Sequence, residues 1–171
     1  EIYEVGDEEW AVTLDAVNRA IDELLAFRKQ EGEALYVRFL SNITNISSLL
    51  ASVEPFEKER IEKIRSRITD NLEKLVGVDY DNNRLEQELI YYIEKLDVNE
   101  EKQRLTNHLS YFVETMDGAI GQGKKLGFIA QEMGREINTL GSKSNHAEMQ
   151  NIVVRMKDEL EQIKEQVLNV M

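Results

Sequence analysis

The sequence predicts an all-α protein, an elongated bundle of about six helices with a long first helix. Three observations carry that expectation. Apolar residues recur three and four apart along almost the whole chain, and period-two alternation is absent. One Pro and nine Gly in 171 residues leave little turn chemistry for a β-sandwich or a Pro-rich linker. The 33 Asp and Glu exceed the 21 Lys and Arg for a net charge of −12, a balance typical of long solvated helices. A chain of this length buries about 70% of its unfolded surface, so it folds without a disulfide or a metal. It has no Cys, which removes thiolate catalysis and Cys-based zinc sites. No apolar run approaches the roughly 20 residues that span a bilayer, so no membrane partner is expected. Charge is uneven. Residues 1–33 hold ten acids and three bases, whereas residues 118–143 hold Lys124, Lys125, Arg135 and Lys143 against Glu132 and Glu136. Bulk charge therefore argues against non-specific nucleic-acid binding but leaves room for a local basic patch.

The first helix is expected from after Asp7 to about Ser52, as an N-terminal helix or arm over residues 1–53. Its seam reads Leu14, Val17, Ile21, Leu24, Leu35, Phe39, Ile43, Ile46 and Leu50. Arg28 and Glu31 fall on that stripe and Gly32 follows. Either the helix breaks or kinks there, or the two charges form a buried pair, which costs several kcal/mol unless the partners meet. Glu54-Pro55 restarts the chain, because Pro suits a first helical position, and opens a helical domain over residues 54–171. Helix two carries Ile61, Ile64, Ile68, Leu72 and Leu75, and residues 76–83 read as a loop. Asn83 with Glu86 and Asp97 with Glu100 are spaced as capping pairs for helices three (Leu85, Leu89, Ile93, Leu96) and four (Leu105, Leu109, Phe112, Met116). Gly118, Gly121 and Gly123 end helix four. Helix five carries Leu126, Ile129, Met133, Ile137 and Leu140, and residues 141–144 form a turn. Asn145 and Glu148 cap a last helix whose unbroken seam, Met149, Val153, Met156, Leu160, Ile163, Val167 and Val170, requires a partner helix.

Three places could hold chemistry. On helix four, Glu100 or Glu101, Arg104 and His108 share one face. A carboxylate, a guanidinium and an imidazole together can bind a metal or a phosphate and move a proton. On helix five, Glu132 and Glu136 are four apart and can share a divalent cation, with Arg135 beside them for phosphate. The turn Gly141-Ser142-Lys143-Ser144-Asn145 runs into a helix N-terminus that can hold a phosphate oxygen. Each also has a plain structural reading, an ion-paired solvated face or a capped turn, and spacing alone favours the plain one.

Residues 123–145 read GKKLGFIAQEMGREINTLGSKSN. This stretch resembles the C-terminal signature of the bacterial YicC family, roughly G-[RK]-K-L-D-F-x-x-Q-E-M-N-R-E-x-N-T-L-x-S-K-S. Asp97, Glu100, Glu101, Arg104, Leu105 and His108 are similar to the segment that precedes it, and residues 161–169 to the family's ending, so the signature spans 97–169. Arg28 to Gly32 resembles its R-x-x-E-G. The resemblance implies an endoribonuclease that hydrolyses RNA phosphodiester bonds with a divalent metal, Mg²⁺ or Mn²⁺, in the cytoplasm. It also implies a homo-oligomer, a ring of six copies, and a separate N-terminal domain preceding Glu1. Matched onto this chain, it makes His108, Glu132 and Glu136 catalytic. Arg28, Arg104, Arg135, Ser142 and Lys143 would hold RNA phosphates, and Glu101, Glu132, Glu136 and His108 the metal. Gly127, Gly134 and His146 depart from the family's Asp, Asn and Asp. Each Gly costs the helix about 1 kcal/mol relative to Ala, and Gly127 removes a carboxylate near the metal strip. The rival expectation is a non-catalytic helical oligomerisation or RNA-chaperoning module whose active site lies elsewhere.

Overall fold

A computed structural model describes residues 6–74, 81–118 and 121–170. Six helices follow in order: α1 (Asp7–Ala51), α2 (Glu54–Glu73), α3 (Asn82–Lys95), α4 (Asn99–Met116), α5 (Gly123–Lys143) and α6 (Ala147–Val167). No strand occurs among the described residues, so the all-α expectation holds. Leu75 and the first part of the expected loop, 76–80, lie outside them.

The chain divides into two units between Arg38 and Phe39. In the first, every described residue except Leu35 is exposed. The stripe expected to face a core is therefore open: Leu14, Val17, Ile21 and Leu24 are 46–56% exposed. The helix also runs unbroken through Arg28–Gly32. Arg28 and Glu31 are exposed, so no core forces the two charges to leave the stripe or to pair.

In the second unit α1 buries Phe39, Ile43, Ile46 and Leu50. Phe39 meets Phe112 of α4 edge to face, with ring centroids 5.5 Å apart. Asn42 donates to Glu159 Oε2 (2.7 Å) and Gln162 Oε1 (3.1 Å) of α6, and Asn45 to Glu159 Oε1 (3.1 Å). α5 is the central element, packed on both α4 and α6. It buries Leu126, Ile129, Met133, Ile137 and Leu140, and α6 buries the expected seam from Met149 to Val167. Each such side chain contributes about 1.5–3 kcal/mol. By contrast Ile61, Ile64, Ile68 and Leu72 of α2 are only half-buried.

The α5–α6 contact explains the glycines that spacing alone leaves unaccounted for. Gly127, Gly134 and Gly141 are seven apart, and so are the residues they face, Val167, Leu160 and Val153. A Cβ on Gly127 would lie 3.3 Å from Val167 Cγ1, one on Gly134 3.3 Å from Leu160 Cδ2, and one on Gly141 3.0 Å from Val153 Cγ1. The glycines let two antiparallel helices approach more closely than any side chain permits, and that packing offsets their poor helix propensity.

Helix ends differ from expectation in four places. The N-cap of α4 is Val98, with no side-chain cap bond, and Asp97 Oδ1 accepts from Asn99 N–H at 3.3 Å just before the helix. The N-cap of α3 is Asp81, whose side chain accepts from Asn83 N–H at 2.9 Å, rather than Asn83. α5 continues through Lys143, so the expected turn at 141–144 shrinks to residues 144–146. The N-cap of α6 is His146, not Asn145, and its Nδ1 accepts from Glu148 N–H at 3.2 Å. An Asp, as the resemblance implies for this position, would cap through its carboxylate; His146 supplies a ring nitrogen instead.

The glycine contacts predict opposite signs for one substitution at two sites. Gly141→Ala should destabilise by about 1–3 kcal/mol, because β-branched Val153 cannot move aside. Gly32→Ala, whose Cβ would meet nothing, should stabilise its helix by about 1 kcal/mol. Urea unfolding of the two variants checks both signs.

Candidate active site

α4 and α5 run antiparallel, and the polar strips of both line their seam. At one end Glu101 of α4, 4% exposed, accepts from Lys143 Nζ of α5 at 2.7 Å. The same ammonium donates to the Asp97 carbonyl at 3.1 Å. One helical turn along, Arg104 Nη1 lies 3.7 Å from Glu136 Oε1, and Arg104 also pairs with Glu100 on its own helix. Glu136 is buried. The register that sets 101 against 143 and 104 against 136 carries His108 to the turn of Glu132. His108 is half-buried, with no hydrogen bond or ion pair among the described residues.

Electrostatics hold this seam charged. Burial pushes the Glu101 carboxyl up, but the hydrogen bond from Lys143, a backbone N–H and the charges of Lys143 and Arg104 outweigh it. The carboxyl stays below its usual range. The hydrogen bond to Glu100 and that carboxylate's charge, with smaller contributions from Glu136 and Glu101, hold the Arg104 guanidinium above its ordinary value. Glu101 Oε2 is buried with no hydrogen-bond partner among the described residues.

The other expected residues are placed as follows. Glu132 pairs with exposed Arg135 at 2.8 Å, one turn along α5; a surface pair of this kind contributes about 0–1 kcal/mol. The Ser142 hydroxyl donates to the Thr139 carbonyl at 2.9 Å and the Ser144 hydroxyl to the Leu140 carbonyl at 2.6 Å. Both hydroxyls and Lys143 are thus engaged within the chain. Arg28 belongs to the first unit and is exposed.

Position 127 requires a correction. It lies nine residues from Glu136, half a helical revolution at 100° per residue. A side chain there would meet Val167 of α6, whereas Glu136 faces Arg104 of α4. Gly127 therefore takes no carboxylate from the α4–α5 strip.

Among the described residues no three His, Asp or Glu side chains gather closely enough to hold a metal ion. An all-protein cage of Glu101, Glu132, Glu136 and His108 does not form in this arrangement. Mg²⁺ does not require one, because it commonly takes one or two carboxylates and completes its shell with water and substrate phosphate. Glu101 and Glu136 are the two buried carboxylates of the seam that could serve in that mode.

The family described as "Endoribonuclease YicC-like, C-terminal" matches residues 53–171, which include every element of this seam. The chain belongs to the YicC-like family. A protein of Clostridioides difficile strain 630 named "Probable endoribonuclease YicC" is 31% identical over 163 residues, 94% of this chain and 56% of that protein. One of the same name from Haemophilus influenzae is 32% identical over 165 residues, 92% of this chain and 57% of that protein. The chain thus spans a little over half the length of these YicC relatives. No helix among the described residues is long and apolar enough to cross a membrane.

One residue at the edge of this YicC-like seam is missed by the sequence reading. Arg60 of α2 is 4% exposed and donates to the Lys143 carbonyl (2.9 Å) and the Leu96 carbonyl (2.7 Å). It ties the C-terminal ends of α3 and α5 to α2. Burial pulls its guanidinium below the ordinary value, opposed by the charges of Glu57 and Asp97. A signal was present, since Arg60 extends the four-residue row Ile64–Ile68 towards the start of α2.

Lys143→Met should cost about 2–3 kcal/mol at neutral pH, less than a fully buried pair because Lys143 is partly exposed. Glu101 has a folded value below its ordinary 4.5. Its contribution is complete above that value and is lost as pH falls through the lower folded one. Denaturant unfolding should show the gap between parent and variant narrowing as pH is lowered, as Glu101 takes up a proton.

Proposed function

We propose that this chain is the helical part of a cytoplasmic endoribonuclease whose RNA-cleaving chemistry lies along the α4–α5 seam. The observation that carries the reading is the pairing of buried carboxylates, Glu101 and Glu136, with Lys143 and Arg104 across two helices, with His108 one turn further. An RNA phosphate entering the seam competes for Arg104 and Lys143 and meets donors already oriented by their carboxylates. His108 accepts a proton from the attacking water as the water oxygen bonds to phosphorus; the P–O bond to the leaving ribose oxygen breaks, and that oxygen takes a proton from solvent. Arg135, exposed at the edge, adds positive charge for a flanking phosphate. Glu101 and Glu136, with Glu132 nearby, are the groups that would hold Mg²⁺ or Mn²⁺, which when bound supplies charge stabilisation at the phosphate. The family match and the names of the relatives support this reading.

A second reading rests on a different observation, the open stripe of α1. Trp10, Leu14, Val17, Ile21 and Leu24 repeat at heptad positions and are exposed. The flanking Ala11, Thr13, Asn18, Ala20, Leu25 and Phe27 carry no charge, while Asp15, Asp22 and Glu23 lie on the far side. This is the pattern of a helix that pairs with a second copy. A parallel pair would set Arg28 against the partner's Arg28. An antiparallel pair sets Leu14 against the partner's Leu24 and Val17 against the partner's Ile21. In this form the chain is a homo-oligomer, and six copies are the number the resemblance implies.

Cleavage of a labelled single-stranded RNA tests the first reading. Glu136→Gln and His108→Ala should each abolish cleavage with helical circular dichroism intact, and EDTA should do the same to the parent. Parent-rate cleavage by both variants would remove the seam as the active site. Sedimentation tests the second: Ile21→Lys should dissociate the oligomer, and an unchanged mass would exclude α1 as the interface.

A further inference from the structure

A second concavity, of about 380 Å³, lies between α2, the end of α3 and the α5–α6 link. Its floor is apolar, made by Ile64 and Ile68 with Leu96. Tyr92 forms a wall, and its ring is braced edge-on by Tyr91 at 5.8 Å between centroids. Arg67 and Lys95 supply positive charge, and Asn71 and Asn145 two side-chain amides. Arg67, Asn71 and Asn145 make no side-chain hydrogen bond or ion pair among the described residues. They therefore have donors and acceptors available to a ligand.

Charge sets this cleft apart. The chain carries −12 overall, yet among the described residues two bases and no acid line the cleft. The neighbouring depression along α2 shows the contrast, since Glu59, Glu62 and Asp70 there offset Lys63, Arg67 and Lys74. An apolar floor, an aromatic face, two amides and two cations match a nucleotide in each of its parts. The base stacks on the ring, its edge meets the amides, and its phosphate meets the cations.

We propose that this cleft binds one nucleotide of single-stranded RNA, next to the segment that enters the α4–α5 seam. The inference rests on the RNA reading given above. Arg60 fixes the relation between the two places, because it donates to the carbonyls of both Leu96, in the cleft floor, and Lys143, in the seam. Asn145 follows Lys143 by two residues, at most about 7 Å of chain. Duplex RNA is excluded as the occupant because its bases have no free face to stack.

Fluorescence anisotropy of a labelled single-stranded oligouridylate on the whole chain tests this. Tyr92→Ala should weaken binding about 5- to 100-fold, and Tyr92→Phe should restore it. Arg67→Gln and Lys95→Gln should each reduce the slope of log affinity against log salt by about 0.7. If the parent does not bind the oligomer, if these variants bind as the parent does, or if a duplex binds equally well, the cleft is not an RNA site. Tyr92-dependent binding without cleavage would uphold the cleft and remove the nuclease reading. Cleavage that survives with KM raised by Tyr92→Ala and kcat unchanged would support both.

Discussion

The close approach of α5 to α6 is the constraint on which the second unit depends. α5 has two working faces, half a revolution apart. One is emptied of side chains at Gly127, Gly134 and Gly141 so that Val167, Leu160 and Val153 can press against its backbone. The other carries Glu132, Glu136 and Lys143 towards α4. A central helix that must satisfy both neighbours cannot rotate without losing one contact or the other. The rotational setting of the polar strip is therefore fixed by apolar packing on the opposite side.

Polar groups then secure the ends of the bundle. Arg60 gathers the C-termini of α3 and α5 by taking one carbonyl from each. Helix C-termini carry unsatisfied carbonyls and partial negative charge, so a buried guanidinium is well suited to them. Lys102 joins α4 to α2 through Glu57 at 2.6 Å and Glu54 at 3.1 Å. Burial opposes its charge, but the two carboxylates outweigh that and hold the ammonium above its ordinary value.

Much of this was legible from the order of residues. Periodicity located all six helices, and the family signature pointed to the strips on α4 and α5 before their facing was known. What periodicity could not supply was the third dimension. Gly127 and Gly134 look like defects in a helix until Val167 and Leu160 of α6 are placed against them. Arg28 and Glu31 look like intrusions on a core stripe because spacing cannot tell a buried face from an open one. His146 looks like a substitution away from a cap, because an imidazole nitrogen in the acceptor role depends on a backbone N–H that only the folded turn presents. The bond of the Ser142 hydroxyl to the Thr139 carbonyl was not legible because α5 runs three residues further than the turn chemistry suggested.

The equal seven-residue spacing on α5 and α6 carries a topological consequence. Sliding one helix past the other by two turns would again bring a glycine opposite a bulky neighbour, Gly134 to Val167 or Gly141 to Leu160, so the contact itself is nearly degenerate in register. The three residues between Lys143 and Ala147 remove that degeneracy, because so short a tether cannot span the offset. The link acts as a stop, and alignment of the chemistry on α5 with α4 is set by a length of chain as much as by any contact.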